Sequence, residues 1–192
     1  MLKKNFFITV LIGVFFSCAK SAPKDYAILS GKIKNAQTKQ ITIKSRHGDF
    51  KDIKLNKDGS FTDTLHLKNK GQLLVFSSKE SGQVFLKNND DLYLKVDAKQ
   101  FKETLLFSGK GAETSNYLAK KSVLQSKIAV LDLFKLDKKT FNIKVKEITT
   151  AFEELLNNYI TIDSTFYLEE QKKIKTLPKM LENQYGQFQT QQ

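Results

Sequence analysis

The spacing of apolar residues changes at Gly109 and Gly111, and this change constrains the fold more than any other feature of the chain. Before it, over residues 26–107, apolar residues come in short runs separated by turn-forming residues, the pattern of a small β-sandwich or barrel. In "QITIKS", Ile41 and Ile43 alternate with Thr42 and Lys44, giving one apolar and one polar face. "AILSGKI" places Leu29 and Ile33 on one face. In "DIKLNKDGSFTDTLHL", Ile53 and Leu55 lead into Asn56-Lys57-Asp58-Gly59, and Phe61, Leu65 and Leu67 follow. Asp-Gly between alternating apolar runs signals a hairpin, because glycine accepts the positive φ that such a turn demands. "QLLVFSS" adds a strand, "QVFLKNNDDLYLKVD" two more with a hairpin turn expected at 88–91, and "TLLFSG" closes the series. About eight strands are expected.

After Gly111 the spacing becomes helical. Tyr117, Leu124, Ile128 and Leu131 fall on one face of a first helix. Phe141, Val145, Ile148, Phe152, Leu155 and Tyr159 define a second over 138–160, with Asp137 as its N-cap. A third begins near Ser164 and carries Phe166, Glu169, Glu170 and Ile174. Pro178 either ends it or starts a short fourth helix bearing Met180, Leu181 and Tyr185, and "QFQTQQ" has no core-building pattern. The fold class is α+β: a small antiparallel β-sandwich over 26–109, then a three- to four-helix segment over 110–186 and a tail at 187–192. Isolated helices this short are marginal in water, so their apolar stripes are expected to dock on the β-domain.

The N-terminus points to export. Lys3 and Lys4 precede an uncharged, mostly apolar run over 6–16. That length suits the core of a signal peptide and is too short for a bilayer of ~30 Å hydrocarbon thickness. Ser17 and Cys18 then resemble the lipobox of bacterial lipoproteins, although Phe15 and Phe16 depart from its aliphatic preference. The resemblance implies that signal 1–17 is removed and that the Cys18 sulfur carries a diacylglycerol. Residues 18–25 become anchor and tether. The implied location is the envelope of a gram-negative bacterium, periplasm-facing and outer-membrane-bound, with the membrane as a partner through Cys18. Cys18 is the only cysteine, which rules out an internal disulfide and a Cys-x-x-Cys pair.

Losing the signal removes two lysines and no acid, so the formal charge falls from +12 to +10. Arg46 is the only arginine, and the lysines are scattered among acids and polar residues. Nucleic-acid readers rely on arginine for bidentate contacts, so no nucleic-acid partner is expected. A solvated surface is the main reading of the lysines, with attraction to anionic lipid headgroups second.

The chain shows little catalytic chemistry. Its two histidines, His47 and His66, make no zinc cluster, and neither a metal nor another cofactor is expected. His47 and Asp49 form the one pair suited to general-base work, which leaves a hydrolase-like envelope enzyme as the alternative reading. His66 is expected to face solvent. "NNDD" lacks the distal glutamate of a calcium loop, and "SGKGAETS" lacks the P-loop spacing and is expected to be a strand-to-helix turn. Glu169 and Glu170, adjacent on a helix, point in different directions and are expected on a solvated face.

The order of parts carries a resemblance. A lipobox, a β-domain with "KLNKDGSFTDTL", then "FSGKGAETSNYLAKK" and helices with "IDSTFYLEEQKK" resemble the N-terminal region of exported TlpA-type thioredoxin-like thiol-disulfide oxidoreductases. In that family a Trp-Cys-x-x-Cys thioredoxin domain follows. This chain has no Trp and no Cys-x-x-Cys, so none of the family's redox residues carries over. The resemblance therefore implies a non-catalytic accessory or binding module without thiol-disulfide exchange of its own. Its partner would be a thioredoxin-like domain encoded downstream or by a neighbouring gene, or another envelope protein. A structural envelope lipoprotein is the blander reading. Tyr185 and Phe188, near the end, are expected to meet such a neighbour.

Overall fold

A computed structural model describes residues 23–45, 50–68 and 71–191. Among these residues eight strands form: β1 Ala27–Lys34, β2 Gln40–Ser45, β3 Phe50–Lys54, β4 Ser60–Leu65, β5 Gln72–Ser77, β6 Ser81–Leu86, β7 Asp91–Asp97 and β8 Leu106–Lys110. A short helix, α1 (Phe101–Thr104), separates β7 from β8. The strands make two four-stranded sheets: sheet A in the order β4-β1-β7-β8 and sheet B in the order β3-β2-β5-β6. One core holds them face to face, with Leu29, Ile33, Phe61 and Leu94 from sheet A meeting Ile41, Ile53, Phe76 and Leu86 from sheet B. The expected α+β class holds, with one refinement: β1 and β7 pair parallel, from Ile28 beside Asp91 to Lys34 beside Asp97. All other pairings are antiparallel.

Two expected hairpins are sheet changes instead. The turn at Asn56-Lys57-Asp58-Gly59 is tight: Gly59 has φ 79°, its N–H donates to the Asn56 carbonyl at 2.9 Å, and Asn56 N–H donates to the Ser60 carbonyl at 2.8 Å. Yet β3 pairs with β2 in sheet B, whereas β4 pairs with β1 in sheet A. The turn at 88–91 likewise carries the chain from β6 in sheet B to β7 in sheet A. In a sandwich, two apolar faces must meet across the core, so a turn between alternating runs serves equally to link the facing layers.

The free edges of the sandwich are managed in two ways. On the β3–β4 side, Lys51 and Asp63 sit on the inward register with Ile43 and Leu29, and their side chains pair at 2.7 Å. Inward-pointing charges on edge strands discourage pairing with another chain. On the β6–β8 side the edges are covered by helix α2 (Ala112–Ser126). Ser115 Oγ accepts from Phe85 N–H (3.0 Å) and donates to the Phe85 carbonyl (3.2 Å). Asn116 Oδ1 accepts from Phe107 N–H (2.8 Å), and its Nδ2 donates to the Phe107 carbonyl (2.9 Å). Two adjacent side chains thus stand in for the next strand of each sheet. Gly109 and Gly111, with φ 91° and 93°, turn the chain into this helix, as expected for "SGKGAETS".

The helices continue as α3 (Val130–Phe134), α4 (Lys138–Asn157) and α5 (Ser164–Gln189). Asp137 caps α4, accepting from Lys139 and Thr140 N–H, as the sequence predicts. The helices dock on the β-domain: Phe85 joins Tyr117, Phe152, Leu156, Phe166 and Ile174 in a second core. Three expectations are corrected. The first helix stops at Ser126, and although Leu124 and Ile128 pack on the same cluster as Tyr117, Leu131 lies exposed on α3, beyond the break in the helix. Pro178 neither ends nor starts a helix: α5 runs through it, held by Leu177 and Leu181 packed on either side. Finally, Tyr185 and Phe188 meet the chain's own helices. The Tyr185 ring stacks on Phe141 at 4.2 Å, Phe188 meets Phe134 at 5.9 Å, and Gln189 Nε2 donates to the Phe134 carbonyl at 2.7 Å. Every side chain of the three apolar clusters falls between Ala27 and Phe188.

Candidate functional site

Between the outer face of sheet B and the start of α5 runs a groove of about 920 Å³. Its floor is the outward register of β5 and β6. Leu73 lies beside Phe85 and Val75 beside Gln83, with Lys44 of β2 on the other flank of Val75. Leu73 and Val75 are more than a third exposed there (37% and 38%), although they occupy the middle of a sheet. The opposite wall is the first turns of α5, which present Thr165, Glu169 and Lys173. Phe85 and Phe166, ring centroids 5.3 Å apart, close the deep end.

Four interactions set this wall in place, and one of them, Lys87 to Asp163, ties it to the end of β6. Asp163 caps α5 by accepting from Phe166 N–H at 2.9 Å, and its own N–H donates to Thr114 Oγ1 on α2 at 3.1 Å. Lys87, just past β6, reaches Asp163 Oδ2 at 3.1 Å, while its N–H donates to Asp90 Oδ2 at 2.8 Å. Burial pushes the Asp163 carboxyl up, but the Phe166 N–H and Lys87 outweigh it and hold it below the usual range. Asp163 thus anchors this corner, capping α5 and holding Lys87 with the same carboxylate. Asp90 behaves oppositely: burial raises it, against the Lys87 N–H.

Behind the wall lies Glu170, only 1% exposed. Tyr117 Oη donates to its Oε2 at 3.1 Å, Lys121 Nζ pairs with the same oxygen, and Lys173 Nζ binds Oε1 at 2.8 Å. Burial pushes Glu170 up, yet the two lysines more than compensate and hold it below its ordinary value. Tyr117 is driven up by burial and by the neighbouring carboxylate. Adjacent glutamates do diverge here, but the expected solvated face is wrong for Glu170: Glu169 is exposed and Glu170 is the buried tie between α2 and α5. Helical position 170 shares a face with Phe166 and Ile174, and that spacing was the available signal.

Of the residues singled out in the sequence, Cys18, His47 and Asp49 lie outside the described residues. His66 is exposed just beyond β4, 3.8 Å from Asp25, as expected. No group of histidine, cysteine, aspartate and glutamate suited to a metal ion occurs among the described residues. No helix among them is long and apolar enough to cross a membrane. The groove itself was not legible from the sequence, because its two walls come from residues about ninety positions apart.

No family model matches the chain, and no curated protein matches it. Solved structures that resemble part of it include a Bacteroides ovatus protein provisionally named for cell adhesion (15% identity, TM-score 0.28, 45% of this chain, 43% of that one). Another is a DUF3823 family protein from Parabacteroides merdae (13% identity, TM-score 0.26, 45% of this chain, 47% of that one). The chain spans less than half the length of either, and likenesses at these TM-scores carry no argument about fold or function.

Proposed function

We propose that this chain is a non-catalytic binding module, lipid-anchored through Cys18 in the cell envelope, which receives a thioredoxin-like partner in the groove between sheet B and α5. The groove carries the reading. An apolar floor of Leu73 and Val75, flanked by Lys44 on one side and Glu169 on the other, suits a segment of another protein. The sequence supports it from a second direction: Met180 holds the only sulfur after Cys18, so thiolate exchange has no nucleophile beyond the anchor. The resemblance to the N-terminal region of TlpA-type oxidoreductases suggests the class of partner.

The test combines two readouts in cells. A fatty-acid probe is expected to label the wild type and not Cys18→Ala; equal labelling sinks the anchor. A photo-crosslinking residue in place of Val75 is expected to trap a thioredoxin-fold protein, whereas one in place of Ile143, exposed on α4, is not. Adducts of the same proteins from both positions would overturn the assignment of the groove.

A further inference from the structure

The outer face of sheet A lies on the opposite side of the sandwich from the groove. In its register Lys32 on β1 stands beside Lys95 on β7, and Lys95 stands beside Leu106 on β8. One row along, Ser30, Tyr93 and Ser108 line up. Asp58 pairs with Lys32 at 3.1 Å, Asp97 pairs with Lys34 at 3.7 Å and Asp91 stands beside Lys110 on the same face, but the cross-strand neighbours of Lys95 are Lys32 and Leu106. With Lys32 held by Asp58, Lys95 is the cation of this row that has no carboxylate among its cross-strand neighbours, and an anionic surface would supply an anion. Tyr93 and Leu106 are exposed among these lysines, at 43% and 54%. A tyrosine ring and an aliphatic side chain beside lysines suit the headgroup layer, where the apolar parts enter and the charges stay at the phosphates.

Connectivity supplies a third argument. Strand β1 of this sheet begins at Ala27, nine residues after Cys18. Nine extended residues reach at most about 30 Å, so an anchor at Cys18 holds sheet A within reach of the bilayer. We propose that the outer face of sheet A docks on the anionic phospholipid headgroups of the membrane that carries the anchor. This rests on the lipid-anchored reading. Docking in this way turns the groove on sheet B away from the membrane, toward soluble partners.

The test uses residues 19–192, which retain every side chain of the three apolar clusters and lack the lipid, so a failure here leaves the Cys18 labelling result untouched. Sedimentation with vesicles of phosphatidylglycerol and phosphatidylcholine is compared with vesicles of phosphatidylcholine alone. Binding to the anionic vesicles only, weakened by salt, is expected. The double variant Lys32→Glu/Lys95→Glu is expected to lower the partition coefficient roughly tenfold or more, and Tyr93→Ser to lower it less. A charge-matched control on α5, Lys172→Glu/Lys175→Glu, is expected to bind as the wild type does. Circular dichroism melting of each variant shows that the fold is retained. Equal loss in both double variants would mean that net charge rather than this face is read, and would overturn the proposal. So would equal binding to both kinds of vesicle, or binding to neither.

Discussion

At the scale of the residue, Glu170 is the most constrained group described. A buried carboxylate is costly unless paired, and this one is satisfied by Tyr117, Lys121 and Lys173 together. Removing it leaves Lys121 and the Tyr117 hydroxyl without their partner at the α2–α5 seam, while the more exposed Lys173 stays in water. Glu170→Ala is expected to cost about 3–5 kcal/mol in urea denaturation. Its folded-state pKa lies below the ordinary 4.5. The stability it contributes is therefore complete above that value and is lost as pH falls through the folded-state pKa. Stability measured from pH 7 downward is expected to drop more steeply in the wild type than in Glu170→Ala; parallel curves would show that the Glu170 pKa is the same folded and unfolded, and would refute this account. Asp90, raised by burial, contributes with the opposite sign: its share is present below its unfolded pKa and is lost as pH rises. The partners of Glu170 lie at positions 117 and 121 as well as 173. The sequence could place the residue on an apolar face but could not name the cations that make its burial tolerable.

At the scale of the element, the caps and turns follow from neighbours within a few residues, and these were legible. Asp137 caps α4, the glycines at 109 and 111 adopt positive φ, and the strand alternation at Ile41 and Ile43 holds. Gly111 is also fixed by a distant contact: a Cβ there would lie 2.5 Å from Asp90 Cγ. Gly111→Ala is expected to destabilise by about 1–3 kcal/mol through strained backbone alone, and by more with this clash. A thermal shift under one degree would refute that account. The Asn116 clamp is a second element-level device. Asn116→Ala leaves the Phe107 N–H and carbonyl on β8 without their side-chain partner, and a loss of about 1–3 kcal/mol is expected by urea titration. Asn116→Asp keeps the acceptor and loses the donor, so an intermediate loss is expected.

At the scale of the whole molecule, Phe85 on sheet B joins the core of the helices, and α2 covers the edges of both sheets. The β-domain and helices are therefore expected to unfold together. Phe152 is 5% exposed in the shared core. Phe152→Asp is expected to lower the melting temperature in one cooperative transition, by the ~3–5 kcal/mol of a lost core aromatic and more for the buried charge. Two separate transitions, with the upper one unmoved, would show that the parts are independent.

By itself the sequence determined the strand-to-helix division at Gly111, the number of strands, the helix starts at Asp137 and near Ser164, and which side chains face inward along most elements. All of these depend on dihedral preference, capping and periodicity within a turn or two of chain. The tertiary structure alone decided that the turns at Asp58-Gly59 and at 88–91 switch sheets, that β1 pairs parallel with β7, and that α5 continues through Pro178. It also brought Tyr185 and Phe188 onto the chain's own helices and opened the groove beside Leu73 and Val75. A period of two shows that a strand has an inner face but not which sheet lies opposite, because that choice is made by the burial of the whole core at once.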